Sequence, residues 1–280
     1  MRLTRRAALK GVLAGAVGVV SGTAAYGVGY ERHRLGATEA TLPVHGLPSA
    51  LSGVRIALLT DIHHSALVGA DDVSAAVNLA LSLKPDLIVL GGDYVTFGDR
   101  QYVGPVAELL APLRAPHGVF AILGNHDDDR DMPAALARRG FIVLKDQRTR
   151  VALRGEALEL AGIRFWTRRP ADIERRVRTA KDTVLLLAHD PRRLTEAAML
   201  NVPAVLSGHT HGGQIVLPGV GALAKARFPV LAGLGQRGHT SIFVSRGIGT
   251  VYVPVRINCP PEVALLTLRS VPRQPPSSGA

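Results

Sequence analysis

Cysteine is almost absent from this sequence: Cys259 is the one thiol in 280 residues. No intramolecular disulfide can form, and the thiolate ligands of a structural zinc knot are missing. Such a chain holds itself together by its core, with metal as the available supplement, and Cys259 reads as a small buried hydrophobe near the C-terminal strand. Aromatic residues are scarce at 4 % against a hydrophobic content of 47 %, which fits one globular domain of ordinary size plus an appendage. Internal repeats are lacking, as are low-complexity blocks before the terminal PRQPPSSGA and any serine or cysteine nucleophile motif.

Acidic residues are missing from the front of the chain. Residues 1–10, MRLTRRAALK, carry four positive charges and no negative one, and residues 11–30 carry no charge at all. This is an export signal or an anchor rather than part of a core. The twin Arg5-Arg6 after Thr4 resembles a twin-arginine signal, which makes that export machinery a partner, although Ala8 replaces the bulky apolar residue usual two places on. The apolar stretch is long enough to span a bilayer at about 20 residues, and Thr23-Ala24-Ala25 matches a cleavage site poorly. Retention on the outer face of the cytoplasmic membrane and release as a secreted protein both stay open. Of the formal charge of +11, six cations against Glu31 in residues 1–34 supply five. The remainder is dispersed, which suits contact with anionic surfaces and not a dedicated nucleic-acid groove. The expected organisation is a leader (1–34), a linker (35–50), a globular domain (51–270) and a flexible tail (271–280).

Five apolar runs rich in Val, Ile and Leu follow the leader: RIALLT (55–60), DLIVLGG (86–92), GVFAILGN (118–125), TVLLLAH (183–189) and PAVLSGH (203–209). Continuous apolar strands imply burial on both faces. Between them DDVSAAVNLALSLK, with Asp at its start and Pro85 beyond its end, and DIERRVRTAK read as helices. VALRGEALELAGIRFW alternates as a strand pair, and SIFVSRGIGTVYVPVRI with EVALLTLR reads as further strands. The pattern predicts an α/β protein of mixed sheets packed as a sandwich with helices outside.

Each of the five runs ends on residues able to bind metal: Asp61 and His63, then Asp93, then Asn125, His126 and Asp127, then His189, then His209 and His211. Ligands of open α/β sheets bind beyond the carboxyl ends of strands, so these ends can converge on one pocket. In Asp61-Ile62-His63 and His209-Thr210-His211, residues i and i+2 of an extended segment share one side. Imidazole with carboxylate and amide oxygen suits Mn, Fe, Co or Zn better than Mg or Ca. His64 points away as a structural residue, while His33, His45, His117 and His239 lack motif context. The acidic run after Asp127 reads as a solvated loop, and Arg168 and Arg169 as charged surface.

D-x-H, G-D, G-N-H-D, a lone His and G-H-T-H, in this order, resemble the calcineurin-like metallophosphoesterase superfamily over residues 50–270. GGDYVT, GHTHGGQI and SRGIGT…PVRINCPPE are similar to its bacterial exported branch, in which phosphodiesterases act on nucleotide-linked lipids and other phosphoesters. The resemblance implies a four-layer α/β/β/α sandwich and two divalent ions. It places Asp61, His63 and His211 on the first, and Asn125, His189 and His209 on the second, with Asp93 bridging. It also implies a bridging hydroxide as nucleophile, His126 beside the leaving oxygen and Asp127 orienting His126. Two ions against Asp61, Asp93 and a hydroxide leave positive charge for an anionic phosphoester. A phosphomonoesterase or protein phosphatase, and a non-catalytic metal-binding scaffold, are the alternatives. VGALAKARFPVLAGLGQRG, after the GHTHGGQI string, is a candidate lip for a lipid-linked or membrane-bound substrate.

Overall fold

The computed structural model describes residues 5–272 apart from 179, 181, 223 and 224. Helix α1 (Arg5–Gly29) precedes two six-stranded sheets. The first sheet takes β1 (Gly36–His45), β2 (Arg55–Leu59), β3 (Leu87–Leu90), β4 (Val119–Ala121) and β5 (Ile142–Val143), with helices α2 (Ala70–Ser82), α3 (Val103–Leu110) and α4 (Asp131–Ala137) between its strands. The second takes β6 (Gln147–Leu153), β7 (Glu156–Gly162), β8 (Thr183–Leu187) and β9 (Ala204–Ser207), with α5 (Pro170–Val177) and α6 (Leu194–Met199) as crossovers. A small hairpin of β10 (Val216–Leu217) and β11 (Gly221–Ala222) follows, and β12 (Gly233–Arg237) and β13 (Thr240–Val244) complete the second sheet. The last strand, β14 (Glu262–Val271), returns to the first sheet, whose order is β1-β14-β2-β3-β4-β5; the second runs β12-β13-β9-β8-β7-β6.

The period-2 alternation of side chains explains why the central runs are apolar throughout. In β2, Ile56 and Leu58 face the other sheet, where they join Phe120, Leu158, Leu185, Leu206 and Phe243. Their neighbours Ala57 and Leu59 face Val73, Val77, Val106 and Leu136 of the covering helices. In the second sheet Leu186, Val205 and Ile242 likewise meet Ile173 and Leu194 of α5 and α6. Both faces are buried, giving the expected four layers α/β/β/α. Helix α2 begins where Asp72 accepts the Gly69 N–H, with two acids against the dipole in its first turn.

Two expectations fail. Residues 35–50 are no linker: β1 pairs with β14 in parallel over ten positions, Gly36 with Glu262 through His45 with Val271, and buries Leu42 and Val44 between the sheets. Its alternation is diluted by solvent on one side of an edge strand, so it carries little signal. The stretch TVYVPVRI, predicted as strand, is irregular. Side chains hold it instead: Gln214 bonds the backbone of Val251 and Val253, and the guanidinium of Arg256, within the stretch, bonds carbonyls on either side of it, those of Arg246, Gly247, Gly249 and Cys259.

Candidate metal centre

Strands β2, β3 and β4 run parallel, as do β7, β8 and β9, and the loops at their carboxyl ends meet at one end of the sandwich. The chain leaves these strands abruptly. Asp61, His63, Asp93, His209 and His211 all have φ between 51° and 71°, the left-handed region that non-glycine residues enter at a cost. Such strain persists where surrounding contacts over-determine it, and here they do. Asp61 accepts the Thr60 hydroxyl and the His209 N–H, while Asp93 Oδ1 accepts the His126 N–H. Gly208 and Gly124 make room: a Cβ on the first would collide with Asp61, on the second with Asp93.

The side chains form two clusters. Ligand atoms of Asp61, His63 and His211 all lie within 4.8 Å of one another, as do those of Asp93, His189 and His209. His209 and His211 therefore part company, one to each cluster, because their backbone is left-handed and not extended as the i, i+2 argument assumed. Asp93 Oδ2 lies 3.1 Å from His189 Nε2 and 3.6 Å from His63 Nε2, between the clusters. His189 donates its Nδ1 proton to the Gly91 carbonyl at 2.8 Å, which turns Nε2 toward the centre. Two buried atoms suit a cation: His189 Nε2 has no aligned hydrogen-bond partner, and Asn125 Oδ1, beyond the end of β4, has none. Both are donors that a divalent ion of the Mn, Fe, Co or Zn type accepts.

Burial sets the protonation pattern. It lowers His63 and His209 to about 4 and His211 well below its ordinary value, so these imidazoles present lone pairs at neutral pH. Burial also raises Asp61 to about 6, against the opposing charge of His189. His189 itself is held up at about 10, because the Asp93 and Asp61 carboxylates outweigh its burial. Burial resists the ionisation of Asp93 too, yet His189 and His63 hold that carboxyl well below the usual range. Without metal, His189 and Asp93 make a buried ion pair whose proton a metal ion must displace.

His126 is brought to the edge of the first cluster, its ring 4.9 Å from that of His63. Asp127 does not orient it. Both Asp127 oxygens are taken by backbone N–H groups, of Asp93, Tyr94 and Gly124, at 2.7 to 2.8 Å, so this carboxylate ties β3 to β4 and braces Asp93. The orienting partner is the Phe97 N–H, which donates to His126 Nδ1 at 3.0 Å and leaves the proton on Nε2. Burial lowers the His126 pKa as well. A backbone donor has no sequence signal, and the adjacent Asp127 was the only visible candidate.

His64 is structural, bonded to the Val68 carbonyl against Tyr102. Arg168 is exposed, as expected of charged surface, and lies 5.5 Å over Phe165, whose ring is 5.2 Å from that of His209. Of the apolar segment after GHTHGGQI, Gly233–Arg237 is the edge strand β12, Leu223 and Ala224 lie outside the described residues, and Phe228 reaches His209 at 5.5 Å. Phe97 and Tyr252 flank the opposite side, at 5.1 and 6.4 Å from His126. Arg256 is fully buried, which its sequence context does not signal, because lone arginines are ordinarily exposed.

Residues 54–213 match the family model described as calcineurin-like phosphoesterase. The chain is 32 % identical over 283 residues to the metallophosphoesterase YkuE of Bacillus subtilis (strain 168), covering 96 % of this chain and 99 % of that one. It is 35 % identical over 230 residues to the phosphodiesterase YaeI of Escherichia coli (strain K12), covering 76 % and 82 %. The NAD nucleotidase structure of Haemophilus influenzae shares the fold, with a TM-score of 0.50 at 15 % identity over 70 % of this chain and 45 % of that one. A family model spanning more than half the chain, and relatives at such identity over most of its length, lead to one conclusion: the chain belongs to the calcineurin-like phosphoesterases, a metal-dependent phosphoric ester hydrolase with two divalent metal ions as cofactors.

Proposed function

We infer that the chain is a binuclear phosphodiesterase, exported by the twin-arginine route, in which His126 steadies the departing oxygen. The observation that carries the reading is the position of Asp93 Oδ2 between His63 and His189, which lets one carboxylate serve both clusters. In this assignment Asp61, His63 and His211 hold one ion, Asn125, His189 and His209 the other, and Asp93 both. Ions so held supply Lewis acidity toward phosphoryl oxygens and a water of lowered pKa.

The chain's own residues do the rest. Phe97 fills the Nδ1 lone pair of His126, so the ring stays neutral and offers Nε2–H as a hydrogen-bond donor, not as a source of a whole proton. Charge developing on the leaving oxygen is stabilised by that donor, and the proton the product alcohol needs comes from solvent. Asp127 keeps Asp93 in place through three N–H bonds without entering the chemistry. A diester carries two organic groups, and the centre has two aromatic walls: Phe97 and Tyr252 beside His126, Phe165 and Phe228 beside His209. Arg168 and Arg192 stack on the second wall; Arg192 is paired with the Asp190 carboxylate, and Arg168 adds positive charge for the phosphate. The name of the relative YaeI supports the same substrate class.

The test is the full chain loaded with Mn, assayed on bis(4-nitrophenyl) phosphate and 4-nitrophenyl phosphate. A kcat/KM about tenfold or more higher on the diester is expected. Preference for the monoester would make the chain a phosphomonoesterase, and inactivity of the loaded protein on both would make it a scaffold.

A further inference from the structure

The apolar helix α1 is seated on the catalytic domain with no free connection between them. At its end, Gly27 is buried and its carbonyl accepts the Arg256 N–H at 3.2 Å; a Cβ there would run into the Arg256 carbonyl and Val255. Four residues on, the buried Glu31 accepts the Cys259 N–H at 2.6 Å. Arg32 then bonds the Leu67 carbonyl and His33 meets Asp72, and β1 begins at Gly36. The stretch Leu9–His33 is long and apolar enough to cross a membrane. The 25 residues of α1 extend about 37 Å against a hydrocarbon core of about 30 Å. The paired and exposed Tyr26 and Tyr30, ring centroids 5.4 Å apart, are of the type that sits at the water interface of a span.

The loop gripped by α1 is unusual in its own right. Its tip, Val251–Val255, reads VYVPV, five apolar residues in a row, with Tyr252 73 % and Val253 45 % exposed. It is not loose: the Gln214 side chain accepts the Val251 N–H and donates to the Val253 carbonyl, tying the tip to the loop that carries His209 and His211. Phe97, 66 % exposed, lies 5.6 Å from Tyr252. Exposed apolar residues clustered in this way mark an interaction surface.

We propose that Val251–Val255 and Phe97 form a membrane-contacting lip: α1 is retained as an anchor and holds this lip, and with it the His126 side of the metal centre, against the headgroup layer of the bilayer. The occupant is the membrane because the lip is continuous with a helix of spanning length and the residues joining them, Tyr30 to Leu35, are pinned to the domain. Removal of the leader at residues 23–25 would discard the span and leave the lip without its support. The proposal concerns where the mouth sits, and it stands or falls independently of which ester is cleaved.

The experiment uses the full chain in vesicles of phosphatidylcholine and phosphatidylglycerol containing brominated lipid. Trp166, the one tryptophan, is replaced as Trp166→Phe. A reporter is then introduced by Tyr252→Trp or, should that variant misfold, by Val253→Trp. The control reporter is Met199→Trp, at an exposed site before the start of β9, at the end of the sheet away from the centre. Quenching at the lip at least about threefold stronger than at the control is expected, as for side chains entering the headgroup boundary by about 5–10 Å. Intact mass should show residues 1–34 still attached. Equal quenching at both sites, a chain lacking the leader, or a lip shielded only by concentration-dependent dimerisation would each overturn the proposal.

Discussion

His63 Nε2 and His211 Nε2 lie 3.1 Å apart, although 148 residues separate them in the chain. Both rings are buried, and burial lowers both pKa values, so two neutral imidazoles face each other where neither readily takes a second proton. A shared cation relieves that opposition, and Asp61 Oδ1, 3.4 Å from His211 Nε2, supplies the negative charge that completes the set. The same cost makes metal binding at the centre expected to depend on pH.

Loading with metal at pH 8 should release about one proton per chain from His189, in addition to that lost by metal-bound water, because His189, at about 10, is then a cation that must become neutral to ligate. The sign for stability follows. His189 is raised above its unfolded value of 6.5, so its contribution to the metal-free fold is full below pH 6.5 and fades as pH rises through about 10. His63 and His209, depressed to about 4, act oppositely: their contribution stands above pH 6.5 and is lost as pH falls through about 4. Titration in weak buffer measures the release, and His189→Gln should lower it by about one proton; a wild-type protein that releases no more than this variant would refute the ion-pair reading.

His126→Ala is expected to keep its metal and fold while losing on the order of 10²-fold in kcat on alkyl phosphodiesters, and much less on nitrophenyl esters. His126→Gln, whose amide N–H can take the place of Nε2–H, should recover part of the loss. If Gln is as inactive as Ala, His126 transfers a proton and the hydrogen-bond role assigned through Phe97 is wrong.

Gly124→Ala should weaken metal binding by about 10- to 100-fold, because the added methyl collides with the Asp93 carboxylate and backbone. Gly104→Ala is the control: it lies in α3 with open space around it, and should stabilise by up to about 1 kcal/mol. Metal titration and thermal melts of the two variants distinguish a steric effect at the site from a general intolerance of glycine replacement.

Arg256→Met should strand several buried carbonyls at a cost of about 3 kcal/mol or more, lowering the melting temperature by on the order of 10 °C. Cys259 Sγ donates to the His211 carbonyl 3.1 Å away, so the disturbance should reach the Asp61–His63–His211 cluster. An unchanged melting temperature would show that the guanidinium is dispensable.

Replacing Arg5 and Arg6 together by Lys should leave full-length protein in the cytoplasm, as fractionation and immunoblotting would reveal. Normal export of this variant would exclude the twin-arginine route.

The layers and the metal donors were legible in the sequence for local reasons. An apolar run such as RIALLT, with Asp61 and His63 directly behind it, records both-face burial and a strand end within nine residues of chain. That five such ends meet follows from the general behaviour of α/β sheets, the division of the donors between two ions was implied by the family resemblance alone, and the structure groups Asp61, His63 and His211 apart from Asp93, His189 and His209. His209 and His211 separate because of left-handed backbone at both positions, which no side-chain pattern announces. The Phe97 N–H on His126, the three backbone bonds to Asp127 and the Arg256 guanidinium among carbonyls are contacts with main-chain atoms, which every residue type but proline carries alike. Edge strand β1 was hidden because its stability comes from ten ladder positions with β14, more than 200 residues away, and not from its own composition. The sequence by itself determined the chemistry available, a set of oxygen and imidazole donors at strand ends. Only the tertiary structure decided the protonation of those donors and the seating of α1 against the segment around Val255 and Arg256, because both arise from contacts brought together by segments distant in the chain.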